Sequence, residues 1–145
     1  MIQHFSFVAA VFCLALSPMN SLSAEQTPEQ IFRECKETVA ERTTRTINAL
    51  ETKASRCAHQ VQDLLAAGNQ EAARQLVRQC IEDLSETATK GKRTISALCR
   101  RCTQALRELE AEELANRLEE LCDHSKQLIN QRLRMLTERL QNMVR

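Results

Sequence analysis

Six cysteines placed within helix-forming sequence constrain the fold of this chain more than any other feature. The chain has seven cysteines, and the six that follow residue 24 are Cys35, Cys57, Cys80, Cys99, Cys102 and Cys122. A disulfide requires its two Cα atoms to lie within about 4.4–6.8 Å of each other. An even number of cysteines in an exported chain is typical of disulfide cross-links, so we expect a fold that brings these residues together in pairs.

The N-terminal segment predicts export. Residues 5–16 form an apolar stretch, Ser17 and Pro18 interrupt it, and small residues precede a cleavage position at Ala24. This arrangement is typical of a secretory signal peptide, and the apolar stretch is too short to span a hydrocarbon core of about 30 Å. We therefore expect residues 1–24 to be a signal peptide and residues 25–145 to form a single helical domain of a secreted or periplasmic protein.

The composition of residues 25–145 predicts an all-α fold. Gly68 and Gly91 are the only glycines in this range, Pro28 is the only proline and Phe32 is the only aromatic residue. Turn residues and typical strand residues are therefore scarce. Ala, Leu, Glu, Gln and Arg dominate instead, and all five are strong helix formers.

Local signals divide this domain into three long helices, which we expect over 28–67, 70–109 and 112–144. Thr27, Pro28 and Gln30 match a capping-box start, and Gly68 followed by Asn69 is suited to a helix end. The apolar residues of the third helix follow a 4-3-4-3 rhythm that slips once at 128–129, as in a coiled-coil stutter. The boundary near 110–112 has no glycine or proline to mark it.

Two architectures compete for this sequence. The first is an elongated antiparallel bundle of three helices, a rod about 60 Å long. In this bundle every cysteine lies level with at least one other cysteine. The second has four helices with a turn at Gly91, and it leaves Cys35 without a partner at the same level. We favour three helices because all six cysteines then have partners.

Distance from the turns predicts which cysteines pair. Cys57 and Cys80 lie at similar distances on either side of 68–69, so we expect a Cys57–Cys80 disulfide. The other four cysteines share a second level and allow two arrangements. One is Cys102–Cys122 with Cys35–Cys99, and the other is Cys99–Cys122 with Cys35–Cys102. Equidistance does not separate the two arrangements, and we take the first as the working assignment.

The same four cysteines support an alternative function. As free thiolates, Cys35, Cys99, Cys102 and Cys122 would suit zinc or cuprous ion, and the pair Cys99-Arg-Arg-Cys102 would suit thiol redox chemistry. We favour disulfides and expect no cofactor. No catalytic constellation stands out, since the sequence has neither a glycine-rich phosphate loop nor a Gly-x-Ser-x-Gly motif. A non-enzymatic structural or protein-binding module with an unknown protein partner is the leading hypothesis.

Charge patterns suggest two further kinds of partner. The chain carries a formal net charge of +1, whereas a dedicated nucleic-acid-binding domain is normally strongly basic, so we expect no nucleic-acid partner. Residues 126–145 form a basic amphipathic segment that would suit an anionic lipid surface or a polyanion. We favour the simpler interpretation that its apolar side chains belong to the core. The coiled-coil pattern of the third helix also allows a homodimer.

Overall fold

A computed structural model describes residues 25–145, and these residues form three long helices packed against one another. They are α1 (Pro28–Ala66), α2 (Gln70–Glu108) and α3 (Glu112–Met143). No strand occurs between residues 25 and 145. The all-α bundle of three helices is therefore confirmed, and each helix begins at its predicted residue and ends one residue earlier. The predicted signal peptide, residues 1–24, lies outside the described residues.

The ends of α1 follow from its sequence. Thr27 Oγ1 accepts a hydrogen bond from the Gln30 backbone N–H at 3.2 Å, and Gln30 Oε1 accepts one from the Thr27 N–H at 3.0 Å. At the other end Gly68 has a φ of 75°, a left-handed conformation that favours glycine. Asn69 then caps α2, because its Oδ1 accepts a hydrogen bond from the Ala72 N–H at 3.3 Å. The turn at 68–69 thus ends one helix and begins the next.

The turn between α2 and α3 is made without glycine. Glu110 takes the left-handed position with a φ of 57°, and the Ala111 N–H donates to the Leu106 carbonyl at 2.9 Å. Arg107 supports this turn through ion pairs with Glu112 at 3.2 Å and Glu119 at 2.8 Å. Glu110 occupies the left-handed position that glycine usually takes at a helix end. The sequence therefore carries no strong marker at this boundary.

The register between antiparallel α1 and α2 repeats every eleven residues. Three cross-helix pairs lie along their contact, and in each pair the residue numbers add up to 137: Cys35 with Cys102, Thr46 with Gly91, and Cys57 with Cys80. Eleven residues make slightly more than three helical turns. The same face of each helix therefore returns to the contact at every pair, about 16.5 Å further along the rod.

Gly91 lies inside α2, so the four-helix alternative with a turn at Gly91 is not what the structure shows. A Cβ atom at Gly91 would lie only 3.0 Å from the Thr46 Cβ and closer still to the Thr46 hydroxyl and methyl groups. The middle pair is therefore a close approach of the two helix backbones. The Thr46 hydroxyl donates to the Arg42 carbonyl at 2.9 Å, so the contact leaves this polar group satisfied.

The core is a continuous row of apolar side chains along the axis of the rod. Its largest fully buried members are Leu50, Val61, Leu84, Ile95, Leu106, Leu118, Ile129 and Leu140. Polar Thr43 is also buried, and its hydroxyl donates to the Val39 carbonyl at 2.7 Å, which removes the cost of burying it. Such a narrow core lacks large aromatic side chains, and cross-links are a common source of added stability in small scaffolds.

Candidate functional site

The six cysteines of the described region form three disulfides: Cys35–Cys102, Cys57–Cys80 and Cys99–Cys122. The Cα–Cα distances are 6.3, 6.4 and 6.5 Å respectively, all within the normal range. The expected Cys57–Cys80 bond is present. For the other four cysteines the working assignment, Cys102–Cys122 with Cys35–Cys99, was wrong, and the structure has the second arrangement.

The direction in which each cysteine points explains this correction. Distance from a turn fixes only the level of a residue along the rod. Cys102 lies eleven residues after Gly91, so it shares the face of α2 that contacts α1. Cys99 is three residues earlier, which rotates it by about 60° around the helix, and this places it toward α3. The eleven-residue spacing of Cys80, Gly91 and Cys102 was the sequence signal that would have chosen between the arrangements.

The metal and redox alternative depended on free thiols at Cys35, Cys99, Cys102 and Cys122. In the structure these four sulfur atoms form two disulfides, and Cys99 and Cys102 bond to different helices rather than to each other. Among residues 25–145 no group of three or more His, Cys, Asp or Glu side chains is arranged to hold a metal ion. Both histidines of this range, His59 and His124, are exposed.

Three intramolecular disulfides indicate an oxidising, extracellular-type environment. Within the described part of the chain, no helix is both long and apolar enough to cross a membrane.

Part of the basic C-terminal segment is engaged within the bundle. Lys126 pairs with Asp123 at 3.0 Å, and Arg132 pairs with Glu51 of α1 at 3.1 Å. Leu136 and Leu140, two of its apolar residues, are buried in the core. These two leucines therefore pack inside the bundle, whereas Met135 of the same segment stays exposed.

An apolar stripe on α3 lies beside the core rather than in it. It consists of four residues at seven-residue intervals: Leu114, Leu121, Leu128 and Met135. Leu114 and Leu121 are half-buried, whereas Leu128 is 37% exposed and Met135 is 60% exposed. The stutter at 128–129 has a structural counterpart, since Ile129 is fully buried while Leu128 faces solvent.

Leu121, one residue of the apolar stripe, lies in a groove between α1 and α3, and the seven-residue spacing places Leu128 and Met135 on the same side of α3. Leu121 lines a hollow of about 270 Å³ together with Phe32 and Lys36 of α1 and with Arg117 and Glu120 of α3. The guanidinium carbon of Arg117 lies 5.2 Å from the centre of the Phe32 ring, within the range of a cation–π contact. Further along, the Arg132–Glu51 ion pair joins the same two helices. This α1–α3 groove therefore combines apolar side chains with charged ones at its edges.

The clearest electrostatic perturbation lies at the turn between α2 and α3. Hydrogen bonds from the Arg107 guanidinium to Glu119 and Glu112 raise the pKa of Arg107 above its ordinary value. Arginine is already charged at every physiological pH, so these contacts position the turn and do not create an acid or a base.

No family model matches this chain, and the chain has no match among the curated proteins or the solved structures.

Proposed function

We propose that this chain is an exported, non-enzymatic module that binds another protein along the α1–α3 groove. The observation that carries the proposal is the apolar stripe, where Leu128 and Met135 remain 37% and 60% exposed beside a well-filled core. Exposed apolar side chains aligned in a row are typical of protein-binding surfaces.

The spacing of the apolar stripe favours a helix as the bound element. Seven residues rise about 10.5 Å along a helix, so successive side chains of the stripe stand one heptad apart. A partner helix lying in the groove would meet them with apolar residues of its own at the same interval, as in helix-in-groove recognition. Full burial of an exposed leucine or methionine side chain contributes about 1.5–3 kcal/mol. Leu128 and Met135, which are 37% and 60% exposed, would gain the corresponding part of this free energy on binding.

The three disulfides support such a role because they hold the groove in one shape. Cys35–Cys102 and Cys99–Cys122 connect α2 to both walls of the groove, α1 and α3. A surface fixed before binding loses less conformational entropy when it binds. Export through a signal peptide is part of the same proposal, and mass spectrometry of the mature protein would then find an N-terminus at residue 25.

Photo-crosslinking in the source cells tests this function. A photoreactive amino acid replaces Leu128 in one variant and Leu109 in a matched control, because Leu109 is similarly exposed at 44% but lies at the α2–α3 turn. We expect a discrete protein adduct from position 128 that is absent from position 109. With the photoreactive amino acid at position 121 we expect an adduct with the same protein. The double substitution Leu128→Gln with Met135→Gln should abolish the adduct from position 121.

The mass of the adduct identifies the occupant. An adduct of twice the chain's mass would show that a second copy fills the groove and would make the protein a homodimer. Equal labelling from positions 128 and 109, or no adduct from either, would contradict a binding role for the groove.

A further inference from the structure

A second surface, distinct from the α1–α3 groove, carries a concentrated positive charge. Between Glu86 and Glu108, α2 contains six basic residues and no acidic residue, in a chain whose formal net charge is only +1. We define the basic face by the four of these residues that are exposed and make no ion pair within residues 25–145: Lys90, Arg93, Arg100 and Arg101.

Helix geometry places these four residues on one side of α2. Successive residues are rotated by about 100° around the axis, so the four positions fall within an arc of about 100°. From Lys90 to Arg101 the face extends about 16.5 Å along the rod. The cations thus form a linear array rather than a point cluster.

The basic face continues into the groove between α1 and α2 at Gly91. This hollow of about 340 Å³ is lined by Lys90 from α2 and by Arg42 and Arg45 from α1, with small residues between them and no carboxylate. Arg45 also pairs with Glu41 at 2.6 Å, whereas Arg42 makes no ion pair within residues 25–145. The close approach at Gly91 therefore places the cations of α1 and α2 around one groove.

Two disulfides fix the C-terminal half of the basic face. Arg100 and Arg101 lie between Cys99, which bonds to α3, and Cys102, which bonds to α1. The helical turn that carries both arginines is therefore tied to both neighbouring helices. A fixed array of cations loses little backbone entropy when it meets an extended anion.

We propose that the basic face binds a sulfated polysaccharide, a linear polyanion of the oxidising, extracellular-type environment that the disulfides indicate. Arginine suits this ligand because its planar fork donates two parallel hydrogen bonds to anionic oxygens. The binding is electrostatic and weakens steeply with salt.

Two other polyanions fit the observations less well. A bilayer-binding helix inserts apolar side chains between the lipid headgroups, and none of the large exposed apolar residues of the described region lies between 87 and 107. Single-stranded nucleic acid is normally held by aromatic stacking as well as charge, and the one aromatic residue after position 24, Phe32, lies in the α1–α3 groove.

Heparin chromatography and titration with the full oxidised chain test the proposal. The test variant replaces all four residues of the basic face with glutamine. The control variant loses the same number of charges from exposed arginines outside the face, which also make no ion pair within residues 25–145: Arg33, Arg56, Arg134 and Arg139. Circular dichroism and the melting temperature verify that both variants remain folded.

We expect the native chain to bind heparin at physiological salt and the control variant to bind nearly as well. The test variant should lose at least about tenfold in affinity, and its slope of log affinity against log salt should fall by about three. Equal losses in both variants would show a nonspecific charge effect and overturn the proposal. Tighter binding to phosphatidylserine vesicles or to oligo-dT than to heparin, through the same four residues, would also overturn it.

Discussion

The contact between Gly91 and Thr46 allows a sharp test of how α1 and α2 pack. Gly91→Ala adds one methyl group at the closest approach of the two helices, where the new Cβ would meet the Thr46 side chain. Thr46→Ala removes the two groups that this methyl would strike and leaves the Thr46 Cβ at 3.0 Å. The two substitutions together form a double-mutant cycle.

Two opposing effects set the magnitude. Alanine is better than glycine inside a helix by about 1 kcal/mol, whereas overpacking a filled contact costs about 1–3 kcal/mol. We therefore expect Gly91→Ala to lower the free energy of unfolding by about 1 kcal/mol when Thr46 is present. In the Thr46→Ala background only the 3.0 Å approach to the residue 46 Cβ remains. A shift of a few tenths of an ångström relieves it, and Gly91→Ala should then raise the free energy of unfolding by up to about 1 kcal/mol. The coupling between the two sites is then about 2 kcal/mol.

Urea unfolding followed by circular dichroism at 222 nm, with the disulfides intact, measures all four corners of the cycle. The expected result is a change of sign for Gly91→Ala between the two backgrounds. An effect that is the same in both backgrounds within about 0.5 kcal/mol would refute the close approach at Gly91. The register of α1 against α2 would then have to be revised.

Three further substitutions test the turns and the cross-links by the same unfolding assay. Gly68→Ala should lower the free energy of unfolding by about 1 kcal/mol because the φ of 75° disfavours a side chain; Thr46→Ala should not rescue this loss. Glu110→Gly should raise the free energy of unfolding by about 1 kcal/mol. A decrease would contradict the left-handed turn at Glu110. Replacing Cys35 and Cys102 with alanine should cost about 4 kcal/mol. That is more than the loss for either of the other two bonds, which join residues only 23 apart.

The bounds of the helices were largely predictable because their determinants are local, whereas the choice of three helices over four rested on the levels of the cysteines. The capping residue Thr27 behaves as its sequence context predicts. Asn69 was expected at the end of α1, and the structure shows that its side chain caps the start of α2. The turn at Glu110 was less well marked because a non-glycine residue takes the left-handed position there. Local sequence therefore predicts a helix end well when the usual residue type is present.

The disulfide pairing and the surfaces were harder to predict because they depend on direction around a helix. Cys99 and Cys102 lie at nearly the same level, and only the face that each occupies separates their partners. Leu128 and Ile129 are adjacent apolar residues, yet one is exposed and the other fully buried. A 4-3-4-3 pattern does not by itself show which of two adjacent apolar residues faces the core.

For the function, the sequence supports only a broad hypothesis, a protein-binding module, and this stays a prediction. The sequence carries no catalytic motif, and the surfaces that support binding arise when separate helices come together. The α1–α3 groove combines Phe32 of α1 with Leu121 of α3. The groove at Gly91 combines Arg42 of α1 with Lys90 of α2.

A disulfide map of the unreduced, exported protein tests the central claim most directly. Arg100 and Arg101 separate Cys99 from Cys102, so trypsin cleavage at mildly acidic pH places these cysteines on different peptides. The structure predicts that peptide 94–100 is joined to 118–126 and that peptide 34–36 is joined to 102–107. Peptide 94–100 joined to 34–36, or free thiols in these peptides, would contradict the helix register on which both proposed surfaces depend.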